Sequence, residues 1–296
     1  MGKNVANLAG IAALLGWSMN VAITRQLAEA DMFGLPSLSL LVSGTFLVSL
    51  DAACGRGNPA TAGADPKFWL LGGASFVLYL VCYICGLAGA ASREVSLALG
   101  LANYLWPAFI LLLMPLFFPC RLRATFLLPG ILLCLVGVTV AFLRDLGMGT
   151  LWREWGENGL SLIAMLAAAF LWAFYSNAAR KWGGQANGVG WFQLAAGLVF
   201  LALWAAGEGE LGLSGSTLLP FLLHAIVVNA LSYLLWDIGI RRGDLDLLGI
   251  LANFLPVGSV LFGFWHFGGD PGNGLWSACL MISLGAVFCR RGLSAA

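Results

Sequence analysis

The sequence predicts an all-α membrane protein of ten transmembrane helices, arranged as two inverted repeats of five helices. Three observations support this prediction. Hydrophobic residues make up 60% of the 296 residues and charged residues only 10%, whereas a soluble domain carries about 25% charged residues. Ten long stretches contain no Asp, Glu, Lys or Arg. The two halves of the chain also share short motifs at a nearly constant separation.

Each uncharged stretch is long enough to cross a bilayer as a helix, which requires about 20 mostly apolar residues. The alternation with a period of two residues that is typical of barrel strands is absent. The ten stretches, called spans 1 to 10 below, cover residues 4–24, 32–50, 68–92, 95–120, 124–143, 158–179, 182–207, 211–236, 247–269 and 271–289. The loops between them are too short to form a separate water-soluble domain.

The distribution of Lys and Arg between the loops predicts the orientation, because cytoplasmic loops are enriched in these residues. With the N-terminus inside, the inner segments hold Lys3, Arg56, Lys67, Arg121, Arg123, Arg180, Lys181, Arg241, Arg242, Arg290 and Arg291, and the outer segments hold only Arg25, Arg93, Arg144 and Arg153. This bias of eleven to four predicts a multi-pass membrane protein with both termini in the cytoplasm.

Several function classes are excluded by what the sequence lacks. A net charge of +1 offers no basic excess for binding nucleic acid. There is no Gly-x-x-x-x-Gly-Lys-Ser/Thr phosphate loop for ATP hydrolysis. His224 and His266 are too far apart in sequence to suggest a zinc motif. We therefore expect no enzyme activity, no metal and no cofactor, and lipid and a small-molecule substrate as the partners.

The two halves share a motif that begins in span 4 and again in span 9. Residues 100–107 read GLANYLWP and residues 250–256 read ILANFLP. At the same offset of 150 residues, Tyr83 matches Tyr233, Gly89 matches Gly239, Glu94 matches Asp244, and Asn103 matches Asn253. Because five helices is an odd number, the second half must enter the membrane upside down. We predict repeats over residues 1–145 and 146–296, an arrangement typical of transporters.

The motifs carry a family resemblance that covers nearly the whole chain. Ten helices in two sets of five, the Trp17-Ser-x-Asn20 turn in span 1 and the Leu-Ala-Asn…Pro segments of spans 4 and 9 resemble the EamA type of the drug/metabolite transporter superfamily. The aromatic residues of spans 1, 3, 6 and 8 are most similar to the YddG-type exporters of aromatic amino acids. The resemblance implies export, and implies that one chain contains a complete pathway, so we expect a monomer.

Polar and aromatic side chains that share one face of a span are candidates for the lining of a substrate path, because such groups are costly in lipid. The predicted substrate-binding residues are Trp17, Asn20, Tyr79, Tyr83, Asn103, Trp172, Tyr175, Ser176, His224, Asn229, Tyr233, Trp236 and Asn253. Pro107 and Pro256 free backbone carbonyls within spans 4 and 9 and are the predicted hinges.

Each candidate also has a structural interpretation. The tyrosines and tryptophans could pack between helices or lie at the membrane interfaces. Asn103 and Asn253 could satisfy the carbonyls that the prolines release. His224 could bond to a neighbouring helix, bind in the cavity or respond to protons. Asp237 is most simply an ion-pair partner of Arg241, with proton coupling as the alternative.

Taken together, the sequence predicts a secondary transporter that exports aromatic amino acids by alternating access. Other neutral amino acids are possible additional substrates. The alternative is an exporter of another small metabolite or drug, such as a purine or a lipophilic compound. Sequence alone leaves open the direction of transport, proton coupling, the full substrate range and the oligomeric state.

Overall fold

The computed structural model describes residues 2–54, 63–143, 151–184, 187–207 and 210–295. The predicted repeat boundary at residues 145 and 146 lies outside these residues, as do Arg56 and Arg144. Within the described residues the chain is almost entirely helical, which confirms the predicted all-α class. The inverted relation of the two halves stays a prediction.

The first half contains seven α-helices and one short π-helical segment. In chain order they are α1 (Lys3–Ser18), α2 (Asn20–Ala30), α3 (Gly34–Ala53), the π-helical segment Phe68–Gly72, α4 (Gly73–Ala88), α5 (Arg93–Asn103), α6 (Trp106–Phe117) and α7 (Ala124–Leu143).

The described residues of the second half also contain seven α-helices and one π-helical segment, which is longer than that of the first half. In chain order they are α8 (Leu151–Trp182), α9 (Val189–Ala206), α10 (Gly215–Leu222), the π-helical segment Leu223–Leu231, α11 (Ser232–Arg242), α12 (Leu245–Ala252), α13 (Leu255–Phe267) and α14 (Gly272–Arg291).

Nine helices of the described residues are long and apolar enough to cross a membrane, and α13 is a shorter apolar helix. The predicted span 9 corresponds to α12 followed by α13, so its helix is broken rather than continuous. The chain is therefore a multi-pass membrane protein, and the ten predicted spans each coincide with helical structure.

Three of the spans are interrupted in the middle. The helix of span 1 breaks at Met19 between α1 and α2, and that of span 4 breaks after Asn103. The helix of span 9 breaks at Phe254, just after Asn253. Pro107 and Pro256 each occupy the first turn of the helix that follows the break, where the missing N–H would have no helical partner anyway. The predicted irregularity is present at both prolines, and its use as a hinge stays a prediction.

The described residues contain two short strands that the sequence did not indicate. β1 (Cys120–Leu122) lies between α6 and α7, and β2 (Leu293–Ala295) follows α14. The two pair antiparallel, with Arg121 opposite Ser294. This pairing joins the end of the chain to the loop before α7.

Helices α7 and α14 make the most extensive helix contact among the described residues. Glycines allow the two backbones to approach closely: a methyl group on Gly130 would lie 2.7 Å from the backbone oxygen of Gly285. In lipid there is no hydrophobic force between helices, so association depends on such close packing. The contact explains part of the high glycine content of 39 residues.

Replacing Gly130 by Ala should lower the free energy of unfolding by about 1–3 kcal/mol, because the added methyl group overpacks the contact. The matched control is Gly156→Ala, where nothing lies within 4 Å of the added atom and the substitution should be neutral or stabilising. Thermal unfolding of both variants in the same detergent measures the difference. Equal midpoints would contradict the close backbone contact.

Candidate functional site

A small cavity, partly open to its surroundings, lies where the broken helices meet. Ten residues line it: Trp17, Asn20, Tyr79, Tyr83, Asn103, Tyr104, Trp106, Trp172, Tyr233 and Leu255. They come from both halves of the chain, and several flank the breaks between α1 and α2, α5 and α6, and α12 and α13. None of them carries a formal charge at neutral pH. Seven of the ten are among the predicted substrate-binding residues.

The aromatic rings around the cavity contact one another across the two halves of the chain. The ring of Trp17 lies 5.1 Å from that of Tyr233, and the ring of Tyr79 lies 5.0 Å from that of Trp172. Trp17 and Trp172 are 6.1 Å apart in an edge-to-face arrangement. Such geometries are favoured by aromatic rings and contribute beyond simple burial. Aromatic side chains from both halves of the chain therefore meet at one place.

Tyr104, Trp106 and Leu255 line the cavity but were not predicted. Tyr104 and Trp106 belong to the motif of residues 100–107 and flank the break in span 4. The signal that could have found them is their position beside a helix break, since non-helical backbone in a membrane is tolerated mainly where it faces a cavity. Helical spacing alone could not have found Tyr104 and Trp106, because the helix ends at Asn103.

Four predicted residues lie beside the cavity rather than in its lining. Tyr175 packs on Phe76 at 4.9 Å, and Trp236 lies 5.4 Å from Trp17. The Ser176 hydroxyl donates to the Trp172 carbonyl at 2.7 Å, one turn earlier in α8. Asn253 is buried, and its backbone carbonyl accepts from Ser283. These contacts support the rings that line the cavity.

His224 and Asn229, both in the π-helical segment Leu223–Leu231, form a buried polar cluster next to the cavity. Ser39 Oγ lies 2.6 Å from His224 Nδ1, and the Asn229 amide nitrogen lies 3.3 Å from the same atom. Thr24 Oγ1 lies 3.1 Å from His224 Nε2. His224 is therefore bonded to neighbouring helices, which is the first of the interpretations given above.

The cluster continues to the cavity wall. The Thr24 hydroxyl donates to Asn20 Oδ1 at 2.9 Å, and Asn20 lines the cavity. A chain of neutral groups thus joins His224 to the cavity through one hydroxyl. On the other side, the backbone carbonyl of Asn229 accepts from Gln193 at 3.1 Å. The side chains of Asp237 and Arg241 lie outside what the structure describes.

Two buried donors in the cavity wall have no hydrogen-bond partner among the described residues. They are Trp17 Nε1 and Asn103 Nδ2, on side chains of residues that are 8% and 6% exposed. An unpaired buried donor costs about 1–3 kcal/mol, so such groups are rare in folded proteins. Asn103 therefore does not use its amide to satisfy the carbonyls near Pro107, and both donors are free to bind an acceptor inside the cavity.

No group of three or more His, Cys, Asp or Glu side chains in the described residues is arranged to hold a metal ion. One cluster of charged side chains lies at one end of the bundle. Arg25 is 8% exposed and donates to the carbonyls of Leu87 and Ala88 at 2.8 Å each, at the end of α4. Arg25 and Arg93 both pair with Glu29, at 2.9 and 2.7 Å. This ionic cluster of Arg25, Glu29 and Arg93 ties α2, α4 and α5 together.

Comparison with known proteins finds similar proteins both by sequence and by fold. Residues 159–291 match the EamA-like transporter family. Three curated proteins named aromatic amino acid exporter YddG align over nearly their full length. The one from Salmonella typhimurium (strain 14028s) is 24% identical over 98% of both chains. That from Escherichia coli (strain K12) is 26% identical over 99% of this chain and 100% of the relative. That from Ancylobacter novellus is 29% identical over 97% of both.

A solved crystal structure, described only as that of a protein, superposes with a TM-score of 0.72. It is 28% identical in sequence, and the alignment covers 98% of this chain and 99% of the other. The membrane-spanning fold, the uncharged cavity and these relatives indicate a multi-pass membrane transporter rather than an enzyme. More narrowly, residues 159–291 are a domain of the EamA-like transporter family, which confirms the resemblance drawn from the sequence.

Replacing Arg25 by Met should lower the free energy of unfolding by roughly 2–4 kcal/mol, because Glu29 and two carbonyls would lose a buried charged donor. The control is Lys3→Met. Lys3 pairs with Asp244 at 2.9 Å, but the two side chains are 63% and 36% exposed, so the loss should stay below about 1 kcal/mol. Thermal unfolding in detergent measures both. Losses of equal size would contradict a structural role for the buried cluster.

Proposed function

We propose that the chain exports aromatic amino acids across the bacterial inner membrane. One observation carries the proposal: seven of the ten residues that line the cavity are aromatic, and none is charged. Aromatic walls favour a flat aromatic side chain through stacking and edge-to-face contacts. The three relatives named as aromatic amino acid exporters support the same substrate class.

The neutral polar groups of the wall suit the other end of an amino acid. A zwitterion has no net charge, so a cavity without a fixed charge avoids favouring a cation or an anion. It still requires directed hydrogen bonds for its ammonium and carboxylate groups. The amides of Asn20 and Asn103 and the hydroxyls of Tyr79, Tyr83 and Tyr233 can supply them.

The proposed mechanism is alternating access. The repeats of residues 1–145 and 146–296 would rock around the cavity, with the breaks before Pro107 and Pro256 as hinges. Both termini would lie in the cytoplasm, which places the ionic cluster of Arg25, Glu29 and Arg93 at the outer face. A cavity lined by both halves of one chain supports transport by a monomer.

The second candidate is an exporter of a purine or another flat, uncharged metabolite or drug. The observation in its favour is that Trp17 Nε1 and Asn103 Nδ2 are unpaired, since ring nitrogens and carbonyls of such compounds also accept hydrogen bonds. Competition by adenine, guanine and lipophilic drugs against labelled amino acid separates the two candidates.

The direct test is flux of radiolabelled phenylalanine and tryptophan through the purified protein in proteoliposomes, with and without an imposed pH gradient. Saturable flux of both amino acids supports the proposal. Flux without a gradient identifies downhill transport, and flux only with the gradient identifies proton coupling. No flux under either condition, with the protein correctly inserted, overturns the substrate assignment.

Replacing Trp172 by Ala should raise the KM for phenylalanine on the order of tenfold, because the substrate ring loses a stacking surface worth about 1.4 kcal/mol. Trp265→Ala is the matched control, since Trp265 is 78% exposed on the surface of α13 and should transport normally. Counterflow in proteoliposomes measures both variants. An unchanged KM in Trp172→Ala would exclude this ring from the site.

A further inference from the structure

With the Asn20 amide oriented as it is in the structure, the hydrogen bonds around Thr24 assign one neutral tautomer to His224. A threonine hydroxyl has a single hydrogen, and Thr24 donates it to Asn20 Oδ1 at 2.9 Å. Toward His224 Nε2, at 3.1 Å, the same hydroxyl can therefore only accept. It follows that Nε2 carries the proton of a neutral imidazole and that Nδ1 accepts, from Ser39 Oγ at 2.6 Å.

This direction of donation determines what Asn20 presents to the cavity. Its side-chain oxygen is engaged by Thr24, so the amide nitrogen with its two hydrogens is the end left for the cavity. No described residue accepts from that nitrogen. With the other tautomer of His224, Thr24 would donate to Nε2 and accept from the Asn20 amide nitrogen. The amide would then offer its oxygen to the cavity, because the two ends of an asparagine side chain have nearly the same shape.

Two further amide or indole donors in the wall are also without a partner. Trp17 Nε1 and Asn103 Nδ2 belong to residues that are more than nine-tenths buried, and neither atom has a partner among the described residues. Together with Asn20, they form a set of N–H groups on side chains of α1, α2 and α5 that line one cavity. A ligand group with several lone pairs and no hydrogens matches this set, and an ammonium group does not.

We propose that Trp17, Asn20 and Asn103 form a carboxylate-binding subsite, and that His224 acts through Thr24 to hold the Asn20 amide as a donor. His224 and Thr24 are positioning residues, since neither lines the cavity. The inference rests on the proposed function in taking the substrate to be an amino acid. It adds which end of the substrate these three residues bind and why the buried histidine is needed.

The experiment compares three ligands with a common phenyl ring by competition binding to the purified protein. Phenylalanine has both charged groups, 3-phenylpropionate has only the carboxylate, and phenethylamine has only the ammonium. The wild-type protein should bind 3-phenylpropionate at least tenfold more tightly than phenethylamine. Trp17→Phe keeps a ring but removes the N–H, and should reduce that preference several-fold.

The role of the relay is tested with Thr24→Val and Thr24→Ser. The valine variant lacks the hydroxyl and should lose most of the carboxylate preference, whereas the serine variant keeps the hydroxyl and should retain it. The matched control is Thr139→Val, because Thr139 is exposed on α7 and donates only to the Leu135 carbonyl. In a protein that already carries Asn20→Ala, Thr24→Val should cause no further loss of preference.

The outcomes separate the inference from the function. A wild-type protein without carboxylate preference overturns the subsite. Equal weakening of all three ligands by Thr24→Val shows a structural effect and overturns the positioning role. Should the valine variant fail to fold, an unchanged preference in Asn20→Ala overturns the same role. Preferential binding of 3-phenylpropionate without any flux of phenylalanine supports the subsite and overturns amino acid export.

Discussion

Backbone hydrogen bonding inside a bilayer limits where a helix can be interrupted, because the hydrocarbon offers no water to replace a lost bond. In this chain the interruptions at Met19, after Asn103 and at Phe254 each adjoin a residue that lines one cavity. The position of the cavity therefore follows from the positions at which the helices are interrupted. Its chemistry then follows from the side chains that flank each break.

The polar groups behind the cavity are neutral, which fits the same constraint. A charge at this depth would be expensive, whereas a chain of hydroxyl, imidazole and amide groups can satisfy itself. In the orientation described above, Ser39 donates to His224, His224 donates to Thr24, and Thr24 donates to Asn20. The charged contacts lie instead at helix ends. There Arg25 also donates to the last carbonyls of α4, which have no hydrogen-bond partner within the helix.

Composition and the uncharged stretches were sufficient to predict the all-α class and the spans, because hydropathy is a property of the sequence itself. Seven lining residues were also predicted, since helical periodicity and the matched motifs pointed to Trp17, Tyr83, Tyr233 and their neighbours. Tyr104 and Trp106 were missed because periodicity assumes an unbroken helix. The partners of His224 and the short strand pair could not be predicted, because both depend on contacts between residues far apart in sequence.

The pairing of β1 with β2 has a consequence for how the bundle can rearrange. It holds the chain end against the segment that leads into α7, while Gly130 and Gly285 keep the middle of α7 and α14 in backbone contact. The strand pair and the glycine contact thus join one helix of each half along the same end. Under the proposed mechanism the two halves would turn about this pair rather than separate along it.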